Sequence, residues 1–188
     1  MGFSRFAEKR DPQEVMRFLN QFHQITTSQI GAYGGIVEKY IGDAVMASFA
    51  AFDNLERPAA NALCAAQAIL SQVAEWQARD PADGDAPLKI GVGLNFGAAV
   101  VGDIGQREAM TPAVIGASVN LAARLEQATR ELGSDMVISI DFAQKLHQEI
   151  PVCAPVLMAQ YSQMDSIHVK GLSEPVAVLY RPSDQSGS

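Results

Sequence analysis

Four short segments carry side chains whose types and spacing suit chemistry. In Glu38-Lys39-Tyr40-Ile41-Gly42-Asp43 a carboxylate stands at the tip of a predicted hairpin, with a lysine upstream on the strand. A carboxylate held at a tight turn can ligate a hard cation such as Mg²⁺, which takes one or two carboxylates plus phosphate oxygens. Asp43 is equally a good turn residue, and both readings stand at this point. In Val114-Ile115-Gly116-Ala117-Ser118-Val119-Asn120-Leu121-Ala122-Ala123-Arg124, Asn120 and Arg124 lie four apart on a predicted helix and so share a face. An amide and a guanidinium near a helix start suit a ribose hydroxyl and a phosphate. The plain alternative is a surface pair in which Arg124 bridges to Glu126 or Glu131. Val169-Lys170-Gly171 puts a lysine at a strand end, where a solvated turn lysine is the simpler reading, and Gly2-Phe3-Ser4 carries no meaning without context. His23, His147 and His168 lack metal-ligand spacing, and there is no Walker loop or dinucleotide fingerprint.

The elements that must hold these residues follow from periodicity. Asp11-Pro12-Gln13-Glu14 reads as a helix start with Asp11 as cap, Pro12 at the first position and Glu14 placed for a capping box. Val15, Phe18, Leu19, Phe22 and Ile25 give that helix one apolar face, and Gly34-Gly35 ends it. Two apolar runs, 35–41 and 44–49, flank Gly42-Asp43, a hairpin signal. A second amphipathic helix is predicted from Pro58 to Trp76, then an acidic loop from Asp80 to Pro87. Leu88, Ile90, Val92 and Leu94 alternate with Lys89, Gly91, Gly93 and Asn95 as a strand, with Ala98 to Val101 as its partner after Gly97. A helix from Ser118 to Leu132, a strand from Met136 to Ile140, a short helix capped by Asp141 and ending near Ile150, and strands at 166–170 and 176–180 joined through Gly171 complete the series. The interleaving predicts an α+β fold of ferredoxin-like kind, a mostly antiparallel sheet flanked by helices. The strand that would open such a βαββαβ unit does not precede the first helix. Residues 1–182 are expected to form one domain, and 183–188 a frayed tail.

Composition excludes several classes. With 48% hydrophobic and 19% charged residues the chain is not disordered. A net charge of −7 with dispersed cations argues against general nucleic-acid binding, so any polyanion must be held by a few placed cations. Two cysteines, Cys64 and Cys153, fit a reducing compartment. The uncharged run from Pro58 to Ala74 is too short and too polar to span a membrane. A cytoplasmic location without membrane insertion is the expectation.

Taken together and in order, the segments resemble the class III nucleotidyl (adenylyl/guanylyl) cyclase catalytic domain. The resemblance rests on YGGIVEKYIGDAVMASF, IGVGLNFGAAVVGDIG, VIGASVNLAARLE and VKGLSEPVAVLY and covers nearly the whole chain. It implies an adenylate cyclase, a phosphorus–oxygen lyase that converts ATP to 3′,5′-cyclic AMP and pyrophosphate by attack of the ribose 3′-oxygen on the α-phosphorus. It implies two Mg²⁺ or Mn²⁺ ions per site and a head-to-tail dimer, homodimer or heterodimer with another cyclase domain, whose sites are shared between subunits. By position Asp43 matches the second metal aspartate and Lys39 the residue that selects the purine, lysine accompanying adenine and glutamate guanine. Asn120 matches the residue that orients the ribose, Arg124 the one that stabilises the α-phosphate in the transition state, and Lys170 the lysine on the terminal phosphates. The Lys, Asn and Arg set comes from one subunit and the metal aspartates from the other.

Three departures qualify that likeness. Gly2-Phe3-Ser4 fits a family motif whose metal aspartate would fall one place before Met1. Without it a chain should lose roughly 10³-fold or more in rate, and an aspartate encoded one codon upstream would remove the defect. Ala113 stands where the purine pocket usually has Asp or Thr, and alanine cannot hydrogen-bond a base edge. Ala117 stands where bacterial members commonly have Asp. The alternative is therefore a catalytically impaired cyclase-homology module acting as a dimerisation or regulatory partner. A ferredoxin-like RNA binder would need exposed sheet aromatics and a basic face, and neither is visible.

Overall fold

Asp11 begins the first long helix as its side chain predicts: the carboxylate accepts from the Gln13 N–H at 2.8 Å while its own backbone stays extended. The computed structural model describes residues 3–51, 54–79, 87–104, 111–168 and 175–182. A short helix α1 (Phe3–Ala7) precedes α2 (Pro12–Ala32), and α2 ends where Gly34 adopts a φ of +74°. The capping box is only half made, because Glu14 pairs with Arg10 at 3.6 Å. Strands β1 (Ile36–Ile41) and β2 (Ala44–Ser48) follow as an antiparallel hairpin, as the Gly-Asp signal predicts. Helix α3 spans Pro58–Arg79.

The chain divides into two compact units, one of Met1–Ala50 with Asn61–Ile90 and one of Ala51–Ala60 with Gly91–Ser188. The first is built on helix faces: Ile25, Thr26 and Ile30 of α2 and Leu63, Ala66 and Val73 of α3 are buried. Phe3, Phe6, Phe18 and Trp76 form a chain of rings 4.7–6.3 Å apart. Phe3, without context in the sequence, is thus an aromatic packing residue.

The second unit holds β3 (Val92–Leu94), β4 (Val100–Ile104), β5 (Thr111–Ile115), α4 (Ala117–Glu131), β6 (Ser134–Ser139), α5 (Ile140–Glu149), α6 (Ala154–Met158), β7 (Gln163–Ile167) and β8 (Val176–Pro182). Its four-stranded sheet has the order β3-β6-β8-β7, antiparallel except for the β3–β6 pair, so α+β holds with one parallel pairing. Leu125 of α4, Val137 of β6 and Val178 of β8 are fully buried at its centre.

Several expectations need correction. The strand read over 88–94 is reduced to three residues, because both backbone groups of Leu88 are taken by the Gln77 side-chain amide, at 2.6 and 3.0 Å. The run after Gly97 does not pair with that strand. As β4 it pairs antiparallel with β5, a strand the periodicity missed, with Val100 opposite Ile115. Helix α5 is capped by Ser139, whose hydroxyl accepts from the Phe142 N–H at 3.1 Å, and Asp141 sits in the first turn instead. Helix α6 and the extension of β7 back to Gln163 were also unforeseen. Most of the 80–87 loop, the Lys170-Gly171 connection and the 183–188 tail lie outside the described residues.

Candidate active site

Lys39 and Asp43 both belong to the β1–β2 hairpin of the first unit. Gly42 has a φ of +63°, and Ala50 is the only described non-glycine residue with positive φ, so the turn has the II′ pattern that glycine at its first position permits. This leaves the Asp43 carboxylate exposed at the tip. Between Val37 and Lys39 the register slips, making Glu38 the extra residue of a β-bulge, a device that re-aims neighbouring side chains. The Ser48 hydroxyl donates to the Glu38 carboxylate and holds that bulge. Lys39 is exposed, opposite Met46.

The hairpin is fixed to α2 through Tyr40. Its hydroxyl is 2.6 Å from the Thr27 hydroxyl, and its ring packs on His23 with centroids 4.3 Å apart. Burial holds the His23 imidazole below its ordinary pKa. Nothing in the local sequence pairs Tyr40 with Thr27 or His23; the one available signal is a tyrosine between the two chemically interesting positions.

Asn120, Arg124 and Ala113 belong to the second unit. Helix α4 buries Leu125, Ala128 and Thr129 and turns Asn120, Ala123 and Arg124 outward. It lies close on β3 because Gly93 is a glycine: a methyl group there would stand 2.3 Å from the Ala122 carbonyl oxygen. The guanidinium of Arg124 donates to Gln127 at 2.7 Å, not to Glu126 or Glu131. Ala113, half-buried on β5, pairs with Gly102 and stands three residues before Gly116, the uncapped start of α4.

The structure thus gathers the expected residues in two groups, Lys39 with Asp43 on one hairpin, and Ala113 with Asn120 and Arg124 on one strand–helix unit. Lys170 lies outside the described residues. The side chains of Lys39, Asp43 and Asn120 have no hydrogen bond or ion pair to any other described residue, which leaves their polar atoms available to a ligand. Among the described residues no cluster of three or more His, Cys, Asp or Glu side chains could cage a metal. A lone exposed carboxylate fits a cation shared with phosphate oxygens, as Mg²⁺ prefers.

Comparison with known proteins places the chain. The model of the adenylate and guanylate cyclase catalytic domain matches residues 1–178. The adenylate cyclase of Anabaena cylindrica is 28% identical over 178 residues, 94% of this chain and 34% of that protein. The chain therefore spans about a third of that relative, and it spans only 8% of a Dictyostelium discoideum adenylate cyclase to which it is 31% identical. The adenylyl cyclase CyaB from P. aeruginosa has a solved structure that is 26% identical, superimposes with a TM-score of 0.75 and aligns with 100% of this chain and 92% of its own. The guanylyl cyclase Cya2 shares the fold with a TM-score of 0.81 at 24% identity, over 98% and 89% of the two chains. No helix among the described residues is long and apolar enough to cross a membrane. The chain belongs to the adenylate and guanylate cyclase catalytic-domain family.

Proposed function

We propose that this domain is an adenylate cyclase acting on ATP in the cytoplasm, with each active site assembled from two chains. The observation that carries the reading is the pair of exposed polar sets: the Lys39/Asp43 hairpin, and the outward face of α4 with Asn120 and with Arg124, whose guanidinium donates to the exposed Gln127. Lys39 presents a donor to the acceptor edge of adenine. Asn120 orients the ribose so that its 3′-oxygen faces the α-phosphorus. Arg124 leaves Gln127 and stabilises the negative charge that builds on the α-phosphate as pyrophosphate departs. Lys170 neutralises the terminal phosphates. Asp43 would hold a divalent ion, two per site in the family. Mg²⁺ or Mn²⁺, when bound, supplies Lewis-acid activation of the nucleophile and charge neutralisation of the triphosphate.

Pairing of chains is supported by apolar side chains left in solvent. Val100, Val101 and Ile115 on β4 and β5 are 71%, 39% and 52% exposed, and Val100 lies opposite Ile115, so the apolar side chains adjoin on one strand pair. Ala113, which cannot hydrogen-bond a base edge, favours a second reading, a catalytically impaired cyclase-homology module acting as a dimerisation or regulatory partner. The test is cyclic nucleotide formation with Mn²⁺ and equal ATP or GTP, on a longer chain in which an apolar strand ending in an aspartate is joined ahead of Met1. Cyclic AMP that falls roughly 10²-fold or more in Arg124→Ala, and a shift toward cyclic GMP in Lys39→Glu, are expected. No cyclic nucleotide from the longer chain would refute the reading and leave the partner role.

A further inference from the structure

The start of α4 poses a problem that the fold solves in an unusual place. Asn120 and Arg124 lie at the fourth and eighth positions of this helix, yet the helix begins after Gly116 with no capping side chain. Uncapped helix ends fray, because their first N–H groups lack partners. The restraint comes instead from the segment that follows β3. The Asn95 side-chain Nδ2 donates to the Ser118 carbonyl at 3.0 Å, and the Ser118 hydroxyl donates to the Ala98 carbonyl at 2.7 Å. Only an N–H end can face a carbonyl, so the orientation of the Asn95 amide is fixed by its partner. Its Oδ1 is buried with no hydrogen-bond partner among the described residues. The two segments also meet closely. A methyl group on Gly97 would stand 3.1 Å from Ser118 Cβ, and one on Gly116 would stand 3.0 Å from the Ala98 carbonyl oxygen.

We infer that Asn95 and Ser118 are positioning residues: their crossed side-chain-to-backbone bonds tie the first turn of α4 to the segment after β3 through the Ser118 carbonyl and hydroxyl, so that Asn120, two residues beyond Ser118, meets its ligand in one orientation. Neither residue touches the ligand. The inference deepens the cyclase reading and rests on it for its kinetic consequence, whereas the clamp itself is tested without any substrate.

Asn95→Asp keeps the shape but turns a donor into a carboxylate oxygen facing the Ser118 carbonyl, so attraction becomes repulsion. Ser118→Ala removes only the tie to Ala98 and is the milder second variant should Asn95→Asp fold poorly. Amide hydrogen exchange by mass spectrometry on the chain is expected to show residues 117–121 exchanging about five- to tenfold faster in either variant, with the core strand β6 unchanged. In the cyclase assay kcat is expected to fall roughly tenfold with the KM for ATP within about twofold, because orientation is lost and gross binding is not. Unchanged exchange at 117–121 in both variants would overturn the clamp. Faster exchange with kcat and KM both at parental values would overturn its positioning role. If the longer chain that supplies the metal aspartate makes no cyclic nucleotide, the cyclase reading fails by itself, and the exchange data still decide whether the clamp exists.

Discussion

Gly93→Ala is the substitution whose outcome the packing dictates most directly. The added Cβ would stand 2.3 Å from the Ala122 carbonyl oxygen, 2.4 Å from the Glu126 backbone nitrogen and 2.9 Å from Leu125 Cβ. The first two are backbone atoms, so no rotamer change relieves the overlap. Restoring an ordinary contact of about 3.4 Å requires α4 to recede from β3 by about 1 Å. Over-packing costs about 1–3 kcal/mol where side chains can adjust, and the upper end applies where a helix must move. At about 2–4 °C per kcal/mol for a chain of this size, Tm should drop by about 6–12 °C. A 1 Å shift of the helix that carries Asn120 and Arg124 should also cost on the order of 10²-fold in turnover. Thermal unfolding by circular dichroism and the cyclase assay at a temperature where the variant is folded read the two effects separately. Gly102→Ala, where no atom lies within 4 Å, is the matched control and should leave Tm nearly unmoved. A Gly93→Ala protein that melts within about 2 °C of the parent would refute the close seating of α4 on β3.

Two further outcomes follow from other parts of the fold. The buried Glu149 carboxylate accepts from the Ala59 and Ala60 N–H groups at 3.2 and 3.0 Å and so caps the start of α3 from a distant point in sequence; Glu149→Ala should cost about 2 kcal/mol, read as a Tm lower by about 4–8 °C. His23 has a lowered pKa in the fold because burial disfavours its charged form, so the unfolded chain binds the extra proton first as pH falls below about 6.5. Stability should therefore decline with falling pH until the folded-state value is passed, and His23→Phe should flatten that part of a urea-denaturation pH profile; an unaltered profile would show that His23 is not its source.

Local signals made some of this legible in the sequence. The Asp11 cap, the Gly42-Asp43 turn and the Asn120/Arg124 spacing each depend on residues within one or two turns of each other, and each is found where the pattern puts it. Features decided by distant partners were not legible. Gln77 competes with the sheet for the backbone of Leu88 and shortens β3, and nothing near Leu88 announces it. The parallel pairing of β3 with β6 joins segments about forty residues apart, and β4 finds β5 and not the strand before it. Two capping residues, Ser139 and Asp141, compete within one short stretch, and the strand's extent decides in favour of Ser139. In the candidate site the reactive residue types were readable, but not what holds them, the Tyr40 contacts to Thr27 and His23 and the Asn95–Ser118 bonds.

The account stands on one site being built from two chains, and complementation addresses this most directly. Asp43→Ala and Arg124→Ala chains, each carrying the aspartate-bearing strand joined ahead of Met1, should separately lose roughly 10²-fold or more of cyclic AMP formation. If Asp43 of one chain serves the same site as Arg124 of another, random pairing of the two variants leaves half the dimers mixed, each with one intact site of two. Recovery to about a quarter of the parental rate is then predicted on mixing. A mixture no more active than the two variants alone would contradict it.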